Sequence, residues 1–143
     1  MERKMSQEKM PSSARQFGYI VSIIVNVFLI YVANNLLNWN IPFLTKDFAQ
    51  CLWAVNLSLG VTIFINFIFI FFDRKWFKNL MQAFGNVFSF ISGFIFWRVF
   101  PLNLTTSLAR LVNFALIIGL GAIVLSIMIE LIGAVRNYNG ANA

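Results

Sequence analysis

A chain of 143 residues has room for one domain, and 59% apolar with 11% charged residues, at a mean hydropathy of +0.77, lies outside the composition of soluble globular proteins. The net charge of +6 does not point to nucleic acid, because the eleven Lys and Arg sit at the ends of apolar runs and form no clustered basic face. With no histidine and one cysteine, Cys51, the chain lacks an intramolecular disulfide and any metal site built on histidine or paired cysteine, so neither metal nor cofactor is expected.

Residues 1–16 are polar, with Arg3, Lys4, Lys9 and Arg15 against Glu2 and Glu8, and read as a cytoplasmic N-terminal tail. The apolar run over 17–37 is long enough to span a bilayer and has no small-x-small cleavage site, so it reads as a retained signal anchor. Gly18, Ser22 and Asn26 recur at every fourth position and mark a stripe where a second helix can approach. A short loop over 38–47 follows. At its end Asp47 and Gln50 have the spacing of a capping pair for a second helix.

That second helix is the clearest feature of the chain. Residues 49–72 carry no charge at all, and 24 residues at ~1.5 Å each reach about 36 Å, enough to cross a hydrocarbon core of ~30 Å. The run closes on Asp73, Arg74, Lys75, Trp76, Phe77 and Lys78, a basic-aromatic cluster of the kind that meets lipid headgroups. Within the run Asn66 is polar among phenylalanines, and Phe69 is assigned to a lipid-facing side.

From Trp76 onward an amphipathic turn leads into a third span over 80–100, the least apolar of the four, interrupted by Gln82, Gly85, Asn86, Ser89, Ser92 and Gly93. It is expected to be largely shielded from lipid, with Gly85, Ser89 and Gly93 as a second stripe of small residues. Trp97 and Arg98 mark its exit, and Pro101 ends it. A fourth span over 108–135 has small residues including Gly119, Ala122 and Ser126 spaced three or four apart, which places them on one side of a helix. Residues 136–143 read as a disordered cytoplasmic tail.

The expected fold is therefore all-α: a four-helix antiparallel transmembrane bundle (17–37, 49–72, 80–100, 108–135) between two tails. Eight of the eleven basic residues flank the ends at the N-terminal tail, the 73–79 turn and the C-terminal tail, which predicts both termini in the cytoplasm of a cell bounded by a plasma (inner) membrane.

For chemistry the chain offers little. There is no nucleophile elbow, P-loop, dinucleotide fingerprint or carboxylate pair, so an enzyme is not expected. The acid that small multidrug exporters carry in their first helix is replaced here by Asn26, and the Thr-rich break of fluoride channels is absent. Glu130 is the one acid in the fourth span. An intramembrane carboxylate is a candidate functional group by default, but its place near Arg136 predicts a position at the cytoplasmic edge, paired with Arg or Lys or wetted there. Asn26, Asn66, Asn86 and Ser126 fall at similar depths and form either a polar layer or interhelical glue. Arg98 and Arg110 are candidate contacts for anionic headgroups, and Gly18, Ser22, Gly85, Ser89, Gly93, Gly119 and Ala122 are candidate packing positions.

Two functions follow. The first is a non-catalytic membrane subunit or scaffold acting through helix contacts, as a homo-oligomer or with a membrane-protein partner. The alternative is a small oligomeric transporter, channel or lipid carrier with Glu130 and the Asn/Ser layer in its pathway. The lipid bilayer is a partner in either case, and the first reading is preferred because the polar groups are neutral and sparse. A polar-lined cavity open to one side would reverse that preference.

Overall fold

The computed structural model describes residues 12–141, so most of the N-terminal tail and the last two residues lie outside the described part. It is all-helical: α1 (Ser12–Asn35), α2 (Phe48–Phe71), α3 (Lys75–Val99) and α4 (Thr106–Ala141). Each is long and apolar enough to cross a membrane, as expected of a multi-pass membrane protein. Short connections make sequence neighbours antiparallel. Two boundaries differ from the sequence reading. α1 begins five residues earlier, at Ser12, and α4 runs through residues 136–141, which were expected to be a disordered tail.

The helices form a row and not a closed bundle. α1 packs on α2, α2 on α3 and α3 on α4, and among the described residues no Cα of α1 lies within 8 Å of one in α3 or α4. The row curves, because side chains of α1 and of α4 line one cavity between them. In lipid there is no hydrophobic force to draw α1 onto α4; helices meet where small residues and hydrogen bonds let them. A Cβ on Gly85 would lie 2.9 Å from Ile65, and one on Gly133 only 2.5 Å from the Asn79 amide, so these glycines set the approach of α3 to α2 and to α4. Gly18 and Gly119 meet nothing within 4 Å, and Ala122 is exposed. A side chain at either glycine would thus meet no tight contact in this chain, and Ala122 is turned outward from α4.

Polar pairs tie the row together. Asn34 and Asn56 exchange amide hydrogen bonds of 2.9 and 3.1 Å between α1 and α2, and the Ser58 and Ser89 hydroxyls meet at 3.3 Å between α2 and α3. The core lies at the other end of the α1–α2 pair, where Tyr19, Ile65 and Phe69 are buried together. Phe69 is 2% exposed, which corrects its assignment to a lipid face; Phe71, two residues on, is 76% exposed. Cys51 is fully buried in α2.

The loop end of the row is braced by backbone. Leu44 and Leu102 form an antiparallel bridge, the Thr45 N–H donates to Pro101 O at 3.0 Å, and the Asn103 N–H donates to Phe43 O at 2.8 Å. Phe100 caps α3 at φ 42, a left-handed conformation that costs a bulky residue about 1–3 kcal/mol and that these contacts hold in place. At the start of α2, Asp47 makes no side-chain cap; the Gln50 amide instead donates to its carboxylate at 3.1 Å.

Candidate functional site

The inner face of α3 carries Lys78, Gln82, Asn86 and Ser89, spaced by four, four and three, which a 3.6-residue repeat lines up along one side of a helix. Gly85 in the same stripe lets α2 close against it. This stripe is the floor of a cavity of about 320 Å³ to which all four helices contribute: Tyr19 and Ser22 from α1, Thr62 and Asn66 from α2, and Glu130 from α4.

Antiparallel packing of α4 on α3 puts Glu130 opposite Asn86, near the middle of α3. Its closeness to Arg136 in sequence does not reveal this partner. The Asn86 amide nitrogen donates to both carboxylate oxygens, at 2.9 and 2.8 Å, and the Ser126 hydroxyl, one turn earlier, donates at 3.3 Å. The same amide nitrogen lies 3.3 Å from Ser126 Oγ, so the three side chains form one cluster. Among the described residues no lysine or arginine lies within 4.0 Å of the Glu130 carboxylate, and the expected pairing with a cation is not made.

A second cluster closes the cavity toward the α2–α3 turn. Lys78 Nζ donates to the Tyr19 hydroxyl at 3.0 Å and sits over the Tyr19 and Phe69 rings, 5.2 and 6.0 Å from their centroids. The Tyr19 hydroxyl in turn donates to Asp73 Oδ1 at 3.1 Å, and Asp73 is ion-paired with Arg15 at 3.1 Å. One cavity thus holds a carboxylate with neutral partners and, on another wall, an ammonium held by a phenol and two ring faces.

The polar layer foreseen in the sequence is gathered only in part. Asn66 and Asn86 line the cavity and Ser126 braces Glu130, but Asn26 folds back on its own helix and donates to Ser22 O at 2.7 Å. Ser22 and Ser89, expected to pack helices, line the cavity, as does Gly85; Gly93 packs against Leu120, 3.0 Å from a would-be Cβ. Arg98 and Arg110 are both exposed at the loop end, away from this cavity. Lys78 was read only as part of the basic-aromatic turn and Gln82 only as a polar interruption, and neither these two nor Thr62 and Tyr19 were expected at the site. The readable signal was the period-four continuation of the polar stripe of α3 back through Gln82 to Lys78.

Among the described residues no three His, Cys, Asp or Glu side chains cluster as metal ligands would. The cavity is instead suited to electrostatic binding. The Asn86 and Ser126 donors satisfy the Glu130 carboxylate oxygens without cancelling their negative charge. Comparison of the chain with family models, with curated proteins and with solved structures finds no match.

Proposed function

We propose that this chain is a small multi-pass membrane transporter that binds a proton or a small cationic or zwitterionic solute at Glu130. The observation that carries the reading is the Glu130 carboxylate, held by neutral donors alone in a cavity built from all four helices. Bilayers tolerate an uncompensated carboxylate poorly, at a cost of several kcal/mol, and such groups concentrate on solute or proton pathways. Lys78 supplies a fixed positive charge on another wall, which suits a solute bearing both signs or repels a second cation. Both termini lie in the cytoplasm in this reading, consistent with eight basic residues on that side.

The test is flux in proteoliposomes loaded with a pH-sensitive dye and challenged with proton, sodium or potassium gradients, and with small amino acids or amines. Flux that Glu130→Gln abolishes while the protein stays folded supports the proposal. Flux unchanged by Glu130→Gln overturns it. Orientation is checked separately by labelling a cysteine at Lys78 in intact cells, in a chain with Cys51 replaced; strong labelling by an impermeant reagent rules out the cytoplasmic assignment of that turn.

A second reading, a subunit acting through helix contacts, has one observation in its favour. Gly119 and Ala115 border an open apolar hollow of about 530 Å³ beside Gly93, and a Cβ added at Gly119 would meet nothing within 4 Å. Cross-linking through a cysteine at Gly119 in membranes decides whether another helix lies there.

A further inference from the structure

The turn between α2 and α3 exists because helix geometry stops at Phe72, whose backbone is extended, and restarts at Lys75 after an extended Arg74. The Arg74 side chain does not cap α3, so the first N–H groups of that helix lack a side-chain acceptor from it. The guanidinium instead lies over the Phe72 ring, 5.5 Å from its centroid. On the other side, α4 is longer than a bilayer crossing requires. Its 36 residues at ~1.5 Å each make about 54 Å, well beyond a ~30 Å hydrocarbon core, and the excess carries Arg136 and Asn137 alongside the start of α3. Trp76 meets the edge of Tyr138 at 5.7 Å between centroids, which holds the two segments together.

Between them is a cavity of about 470 Å³ lined by Arg74, Lys75, Trp76, Arg136, Asn137 and Gly140. Arg74 and Arg136 bring two guanidiniums to it, none of these lining residues is acidic, and the nearby acid Asp73 is already committed to Arg15 and Tyr19. Two guanidiniums, one from the α2–α3 turn and one from α4, with an amide and a tryptophan, form a set that matches an oxyanion with several acceptor oxygens, and a helix start beside it adds to the attraction. Arg98 and Arg110 make an informative contrast. They are exposed basic residues at the opposite end, and neither lines this cavity.

We propose that this cavity is a phosphate-binding site, occupied by the phosphate of an anionic lipid headgroup or by a free phosphate compound. It is separate from the Glu130 cavity and does not depend on transport. Arg74 and Arg136 grip the oxyanion, and Trp76 packs against the group that bears it.

The test uses the full chain in a neutral detergent with Trp39, Trp53 and Trp97 replaced by Phe, so that Trp76 alone reports. Dioleoyl phosphatidic acid, dioleoyl phosphatidylcholine and inorganic phosphate are titrated separately. Phosphatidic acid is expected to saturate the signal at a midpoint about tenfold or more below that of phosphatidylcholine, as loss of charge-assisted hydrogen bonds would give. Arg74→Gln with Arg136→Gln is expected to raise the phosphatidic acid midpoint about tenfold, whereas Arg98→Gln with Arg110→Gln leaves it within about twofold. Saturation by inorganic phosphate with the same dependence on Arg74 and Arg136 identifies a free phosphate compound as the source and supports the site. Response to phosphatidic acid alone identifies a lipid. Failure of both to saturate, or equal shifts from the two pairs of substitutions, overturns the proposal. Should the double variant not fold, Arg136→Gln alone decides: this position is exposed on the projecting end of α4, and a rise of about threefold or more supports the site while an unchanged midpoint overturns it.

Discussion

Asp73, in the α2–α3 turn, receives a guanidinium from Arg15 and a hydroxyl hydrogen bond from Tyr19, both at 3.1 Å, whereas Glu130, on α4, receives only the amide of Asn86 and the hydroxyl of Ser126. The first acid has its charge matched inside the chain and serves to anchor α1 to the turn. The second has its oxygens satisfied but its charge unmatched, and it faces a cavity. Hydrogen bonding and charge compensation are thus separate requirements, and only the first is met at Glu130. An acid left in that state is available to whatever positive species enters the cavity.

The sharpest way to break this comparison is to neutralise each acid in turn. Glu130→Gln is expected to reduce flux by about 100-fold or more, because the matching charge is gone, while the unfolding transition is retained. Asp73→Asn is expected to leave flux within about threefold, as a side chain outside the pathway should. Equal losses in liposome flux would show that the two acids do not differ in role.

Next in size is the effect of stripping Glu130 of its donors. Asn86→Leu leaves a carboxylate without its main partner and is expected to cost about 1–3 kcal/mol of stability, read as a lower unfolding temperature in detergent. In a Glu130→Gln background the cost should shrink. A double-mutant cycle with no coupling between the two positions would mean that the Asn86 contact contributes nothing to holding the carboxylate.

The frame around the cavity is tested by two glycines. Gly85→Leu drives a side chain into Ile65 and is expected to cost about 1–3 kcal/mol in the same assay. Gly119→Leu points into open space and is expected to stay within about 0.5 kcal/mol. A loss at Gly119 as large as at Gly85 would place another chain against α4 and favour the subunit reading.

The smallest effect is expected at the compensated acid. Its ion pair with Arg15 is partly open, the two side chains being 35% and 23% exposed, so Arg15→Gln should lower stability by only about 0–1 kcal/mol. A larger drop in unfolding temperature would mean that the turn relies on this pair more than its exposure suggests.

Four apolar runs, their approximate ends and the basic-aromatic turn were legible in the sequence, because hydropathy over about twenty residues is a local property and lipid demands it of any spanning helix. The polar stripe of α3 was legible too, and with it the identity of Asn86. The partner of Glu130 was not. Counted along α4 the acid is close to Arg136, and only the register of α4 against α3, set by Gly93 and Gly133, brings it opposite Asn86. Nor could Phe69 be told from Phe71, since lipid tails and protein interiors are equally apolar and composition does not distinguish them. The sequence by itself determined that the chain has four stretches long and apolar enough to cross a membrane and which residues are polar within them. Tertiary structure decided which of those polar residues meet, which turn back on their own helix as Asn26 does, and that α1 and α4 stand apart around a cavity, because each depends on pairwise geometry between helices far apart in sequence.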